Sequence, residues 1–250
     1  MEVKELLNNH GKQYHIDCSS DDVGRYVLLP GDPLRTDRIA EYLNDARMVA
    51  HNREHRTWTG TLDGVKVSVT STGMGGPSTA IAVEELIHCG ADTFIRVGTC
   101  GRLCPESFDV NLEGVIATAA VRDEGTTLHY IPAEYPAVAD HGLTADLICA
   151  CRGKNRKFVQ GIVQSKDAFY GQYDPNGLPD AARLHQRWAA WEAGNVMASE
   201  MEMSTLFVIA SIRKARAAGI LSYKEMSDSA IQIALDALRL TIARDCRNVL

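Results

Sequence analysis

No apolar run in this 250-residue chain approaches the ~18 residues that a membrane-spanning helix needs, which excludes a helical anchor. The opening stretch, residues 1–15, is not expected to act as a secretory leader. A surplus of positive charge is also lacking. The formal net charge of −6 argues against nucleic acid or an anionic membrane as a partner. A small anionic substrate stays open, provided that a few arginines cluster locally. The seven cysteines lack any pairing pattern. They are odd in number, scattered and mostly set in apolar segments, so they read as reduced thiols of a cytoplasmic protein. Cys100 and Cys104 have no second pair and no histidine at zinc spacing, which argues against a metal knuckle. Internal repeats, low-complexity segments and an interdomain linker are absent too. With 45% hydrophobic and 23% charged residues, the chain reads as one α/β domain over residues 1–250, long enough for a large core.

What the chain does have is concentrated in Val67–Gly101. Val67–Thr70 alternates as a strand does, and Gly73, Gly75 and Gly76 then open a turn that glycine tolerates best. Pro77 and Ser78 suit a first helical turn, and Ile81, Val83 and Leu86 give that helix an apolar side before Gly90 closes it. Thr93–Val97 is a second β-rich run, leading into Gly98-Thr99-Cys100-Gly101. Two such loops at the carboxyl ends of neighbouring strands would make a site for a small anion or sugar.

Elsewhere, Tyr26–Leu29 reads as a strand ending in Pro30-Gly31-Asp32-Pro33, and Leu34–Leu43 as a helix. Arg56–Leu62 and Val65–Thr70 flank Asp63-Gly64, a hairpin dipeptide. Gly114–Ala120 and Phe158–Ser165 read as strands, and Leu143–Ala150 and Leu178–Ala193 as helices. Met197–Ala218 reads as one long helix without a breaker, and Ser227–Ala243 as a closing amphipathic helix. Strands alternating with helices imply a mainly parallel or mixed sheet covered on both faces.

Polar groups gather where strands end. Gly31–Arg35, Asn52–His55 with Arg53, and Arg96–Thr99 each bring an arginine to a loop junction. A lone arginine there is a solvated charge; three together with a glycine turn suit a phosphate, whose oxygens guanidinium matches bidentately. In Ser199–Met203, Glu200 and Glu202 lie at the start of the expected helix. One of them is placed to accept ribose hydroxyl protons, although acidic residues near a helix N-terminus fit the pattern equally well. Phe169 and Gln172 offer a stacking face and an amide edge for a pyrimidine. Taken alone, they fit a packed turn better.

In this order, the glycine-rich run from Ser71 to Leu86, the Arg96–Gly101 segment, Gly31–Arg35, Asn52–Trp58, Phe169–Gln172 and Ser199–Met203 resemble the nucleoside phosphorylase-I family, most closely its uridine phosphorylases. The similarity covers nearly all of residues 15–219. It implies a three-layer α/β/α sandwich around a mixed central sheet, built into dimers and usually a ring of three dimers. It also implies a glycosyltransferase of nucleoside catabolism and pyrimidine salvage. Such an enzyme splits the N-glycosidic bond with inorganic phosphate to give ribose 1-phosphate and free base, without an organic cofactor. Carried over, the phosphate site is Gly31, Arg35, Arg96 and Thr99, with Arg53 from a neighbouring subunit. Thr99, Met201 and Glu202 hold the ribose, and His15 of a neighbour caps its 5′-hydroxyl. Phe169 and Gln172 meet the base. Arg96, Thr99 and Glu202 carry the catalytic roles. Some relatives place a monovalent cation such as potassium at the dimer interface, which falls on Glu54, Met74 and Ser78.

Two departures stand out. Many uridine phosphorylases have an arginine two residues beyond the base-reading glutamine, but Gln172 is followed by Tyr173 and Asp174. After the expected long helix, only Gly219–Tyr223 could be extended, so the chain reads as short by about one strand. A loosened base pocket and low turnover are then expected. A purine phosphorylase, a nucleoside hydrolase, or a catalytically weak homologue that binds ligand or serves assembly remain alternatives. Asp228 is a catalytic candidate only by its place in the sequence, and a helix N-terminal role suits it better.

Overall fold

The computed structural model describes residues 6–104, 109, 111–223 and 225–247; residues 1–5, 105–108, 110, 224 and 248–250 of the expected domain lie outside the described residues. The first half runs β1 (Tyr26–Leu29), α1 (Pro33–Ala40), β2 (Asn44–Asn52), β3 (His55–Leu62), β4 (Val65–Thr70), α2 (Gly76–His88) and β5 (Thr93–Arg102). It continues through β6 (Gly114–Asp123), β7 (Ala137–Val138), α3 (His141–Gly153), β8 (Phe158–Lys166), α4 (Tyr170–Tyr173) and α5 (Ala181–Ala193). The chain then forms β9 (Ala198–Glu200), α6 (Met203–Ile212), β10 (Arg216–Tyr223) and α7 (Asp228–Arg247).

The strands form one mixed sheet in the order β10-β6-β8-β9-β5-β1-β4-β3-β2, with β7 beside β6. An added pairing of β10 with β5 closes β5, β10, β6, β8 and β9 into a ring. Strand residues alternate between two cores, as a period of two requires. Val27, Phe94, Val115 and Leu221 face one cluster with Val83 and Leu86 of α2 and Phe207 of α6. Leu28, Ile95, Ile116 and Ile220 face the other, with Ile39 of α1, Leu143 of α3 and Ile231 of α7. The three-layer α/β/α arrangement follows directly from that alternation.

Several local expectations hold for stated reasons. Asp63 (φ 51°) and Gly64 (φ 81°) both take left-handed backbone, as a two-residue hairpin turn demands. Asp32 caps α1 by accepting from the Leu34 N–H at 2.9 Å, with Pro33 in the first turn.

Four readings need correction. The strands that end in the two glycine segments are not neighbours, because β1 lies between β4 and β5. Gly98–Gly101 is no loop either, since β5 stays extended to Arg102 and pairs with β10 as far as Cys100↔Tyr223. Gly98 serves close packing there: a Cβ on it would meet Leu221 Cδ2 at 2.8 Å. The expected helix Met197–Ala218 is really β9, α6, a turn and β10. Lys214 makes that turn with φ 59°, while the Ala215 N–H donates to Ala210 O at 2.8 Å. This is the helix stop usually marked by glycine, made here by lysine, so the sequence carries no visible breaker. No strand is missing. β10 sits between β5 and β6, and with it the reason for a loosened base pocket and low turnover disappears.

Candidate active site

The carboxyl-end segments of β1, β4, β5, β8 and β9 surround a cavity of about 900 Å³. Gly31 follows β1, Arg35 stands in the first turn of α1, Gly73 and Met74 follow β4, and Arg96 and Thr99 project from β5. Lys166, Phe169 and Gln172 enter from the end of β8, and Met201 and Glu202 follow β9. The backbones meet closely at the floor: a Cβ on Gly31 would lie 3.4 Å from Gly73 O and 3.7 Å from Arg96 Nη2.

Arg96 is the buried centre of the site, 4% exposed. Its Nη2 donates to Glu202 Oε2, and its Nη1 to Thr72 Oγ1 at 3.2 Å. Its Nε lies 3.6 Å from Glu200 Oε2, close enough for ion pairing but without a hydrogen bond. Glu202 also accepts from the Gly75 N–H at 2.6 Å, so the start of α2 holds the carboxylate from the other side. Arg35 reaches Thr99 across the cavity, with Nη1 3.5 Å from Oγ1. One guanidinium is thus locked between acids, and the other is loosely held beside a hydroxyl.

Glu200 and Glu202 do lie at a helix start, that of α6 and not of the long helix expected over Met197–Ala218. Glu200 belongs to β9, Glu202 immediately precedes α6, and both are buried. Glu200 is structural: it accepts from Ser165 Oγ and from the Glu202 and Met203 N–H groups. Burial first, and the Glu202 charge second, push its carboxyl up to about 7. The folded protein therefore holds a proton that the unfolded chain releases near its ordinary value of 4.5. The stability from that proton is complete below the unfolded value and is lost as pH rises through the folded one. Denaturant titrations between those limits should show stability falling with rising pH, and Glu200→Gln should flatten the fall. An equally steep fall in the variant would assign the proton elsewhere.

At the other end, Phe169 stacks on Tyr173 with ring centroids 5.6 Å apart, half-exposed toward the opening. Gln172 accompanies Ser199, Gln164 and Lys166. Lys166 is a cavity residue that the sequence reading missed. Its only available signal was a cation directly after the buried end of β8. A second cavity of about 490 Å³ adjoins this end and shares Lys166, Gln172 and Trp188 with the first.

Not every expected residue lines this chain's own cavity. His15 is clamped by Glu85 of α2, its Nδ1 2.6 Å from Oε1. Arg53 occupies the β2–β3 turn with φ 53° and is exposed. Glu54 and Met74 do line the cavity, Met74 at 85% exposure, whereas Ser78, which donates to Glu54 Oε1 at 2.8 Å, does not. Asp228 pairs with Arg38 on the surface at 2.7 Å and does not line the cavity.

The family model of the phosphorylase superfamily matches residues 25–243. The chain belongs to that superfamily. Among superfamily members, the uridine phosphorylase of Treponema pallidum is 46% identical, over 96% of this chain and 98% of its own length. The uridine phosphorylase of Thermococcus kodakarensis is 49% identical over 83% of this chain and 75% of its own. The guanosine phosphorylase of Halorubrum lacusprofundi is 39% identical over 84% and 81%. The phosphorylase match spans every segment that lines the cavity, from Gly31 to Glu202.

Proposed function

We propose that the chain is an enzyme that cleaves uridine with inorganic phosphate, giving ribose 1-phosphate and uracil. The observation that carries this reading is the polar lining of the cavity. Arg35 stands beside Thr99 and Arg96 beside Glu202, while Gln172 meets Ser199, and all of these line one cavity with Phe169 and Met201. Two guanidinium groups, a hydroxyl and the Gly31 backbone suit a phosphate dianion. Glu202, fixed by Gly75 and Arg96, is placed to accept ribose hydroxyl protons. As the C1′–N1 bond lengthens, its electron pair passes to the base and the sugar becomes oxocarbenium-like. A phosphate oxygen then forms the new bond to C1′. Positioning and charge stabilisation supply the rate, so Thr99 binds and does not act as a nucleophile.

The reading extends to residues 1–250 as one cytoplasmic domain that needs no organic cofactor. Among the described residues, no helix is long and apolar enough to cross a membrane. It also extends to a homodimer that completes each site with Arg53 and His15 of a neighbour, and to a ring of three dimers. In support, Asn52 Nδ2 donates to His15 O at 2.9 Å, which sets His15 beside the residue that precedes Arg53. Glu54, which accepts from Ser78 Oγ, and exposed Met74 are offered with Ser78 to a potassium ion. The Glu54 backbone and the Ser78 hydroxyl hold the Glu54 carboxyl below its usual range, which keeps it anionic.

Absorbance assays with uridine, thymidine and inosine, each with and without phosphate, test the reading. Phosphate-dependent release of uracil is expected. Preference for inosine would favour a purine phosphorylase, and cleavage without phosphate a hydrolase. Light scattering should give at least a dimer; a fully active monomer would overturn the shared site.

A further inference from the structure

His15 lies outside any helix or strand, yet one buried side chain of α2, Glu85, holds both its backbone and its ring. Glu85 Oε2 accepts the Ile16 N–H at 2.8 Å and the His15 N–H at 2.9 Å. Its Oε1 stands 2.6 Å from His15 Nδ1. The preceding residue, Glu84, has a different partner, Arg213 at 2.8 Å. The segment around His15 is fastened to the same helix and its cap. His88 Nδ1 lies 3.3 Å from Gln13 Oε1, and Cys89 Sγ donates to Cys18 O at 3.7 Å. From β2, Asn52 Nδ2 donates to His15 O at 2.9 Å.

The proton count fixes the state of the ring. A carboxylate can only accept, so His15 Nδ1 carries the hydrogen that it donates to Glu85. The two backbone N–H groups on Oε2 hold the carboxylate itself in place. Nε2 has no hydrogen-bond partner among the described residues and is left for an outside group. In the neutral ring it is a lone pair, which accepts a hydroxyl proton. The same helix begins at Gly75, whose N–H holds Glu202. α2 therefore supports a ribose ligand of this chain's cavity near its start and His15 near its finish.

We propose that Glu85 is a positioning residue for recognition of the nucleoside 5′-hydroxyl. It fixes His15 with hydrogen on Nδ1, so that Nε2 accepts the 5′-O–H in a neighbouring subunit's site. This rests on the uridine reading and the shared site above. Glu85 itself touches no substrate, and no proton is transferred. A histidine in an irregular segment needs such a brace, because a binding group must be held to about half an ångström. Glu85→Gln exposes the role. The Ile16 and His15 N–H groups require an oxygen, so the amide must keep its oxygen there and turn its N–H₂ toward Nδ1. The ring hydrogen then moves to Nε2, and the acceptor for the 5′-O–H is gone.

The test measures kcat/KM for uridine and for 5′-deoxyuridine, which differ only in that hydroxyl, in wild type, Glu85→Gln and His15→Ala. Wild type should prefer uridine by about tenfold, as for one hydrogen bond. In both variants the preference should shrink to within about twofold, through loss on uridine alone. An equal loss on both substrates in Glu85→Gln would make Glu85 a stability residue and overturn the proposal, as would an undiminished preference. No preference in wild type, or an undiminished one in His15→Ala, would overturn the shared site and the proposal with it. Wild type that releases no uracil from uridine would overturn the uridine reading on which both stand. If Glu85→Gln does not fold, nitrogen NMR of histidine-labelled wild type decides. The His15 ring, identified by its absence from the His15→Ala spectrum, should carry hydrogen on Nδ1. An Nδ1 without hydrogen would overturn the proposal.

Discussion

Arg96→Ala should lose activity on the order of a thousandfold in kcat/KM for phosphate, the largest effect of any single change at the site. The side chain is buried, and it links Glu202 to the phosphate end of the cavity. Removing it takes away a forked cationic donor and leaves Glu202 and Glu200 facing each other without compensation. Breaking a buried ion pair from one side costs about 3–5 kcal/mol, so the variant should also unfold at lower denaturant concentration. Arg96→Lys separates the two effects, because it keeps the charge but not the planar fork. Its stability should lie nearer to wild type, while phosphate affinity by calorimetry stays strongly reduced. Unchanged phosphate affinity in folded Arg96→Lys or Arg96→Ala would remove Arg96 from the phosphate site.

Gly114→Ala should destabilise the fold by about 3 kcal/mol or more, although the residue is far from any expected chemistry. Gly114 opens β6 and pairs with Ser222 of β10. A Cβ there would lie 1.9 Å from Leu221 O and 2.7 Å from Phe158 Cε1. Backbone cannot yield as a flexible side chain can, so β6 and β10 must separate. Urea denaturation followed by circular dichroism measures the cost. A loss below about 1 kcal/mol would mean that β10 is not seated beside β6, and that the chain does lack its core strand.

Where local chemistry decides the structure, the sequence was legible. The Asp63-Gly64 turn, the glycine entry to α2 and the alternating strands each depend on neighbours within a few residues. β2 escaped because it is an edge strand: Asn44–Asn52 is mostly exposed and polar, so no apolar period marks it. The break between α6 and β10 escaped because a lysine takes the left-handed position. Both flanking segments are also mainly apolar, and α6 is buried from Met203 to Ala210, so no polar face marks where it ends. Lys166 escaped because a cation at a strand end looks like any surface charge until burial and partners are known.

By itself, then, the sequence determined most of the segments, their order and the residue types that can hold an anion, a sugar and a base edge. Periodicity and turn chemistry record local backbone and burial, and a phosphate ligand set needs particular side chains whatever surrounds them. Only the tertiary structure decided who faces whom. Arg96 meets Glu202 across 106 residues, and the Gly75 N–H reaches the same carboxylate across 127. Those meetings depend on sheet order and on the closure of β5, β10, β6, β8 and β9. Strand order is set by which apolar faces bury together over the whole chain, and no local pattern encodes that choice.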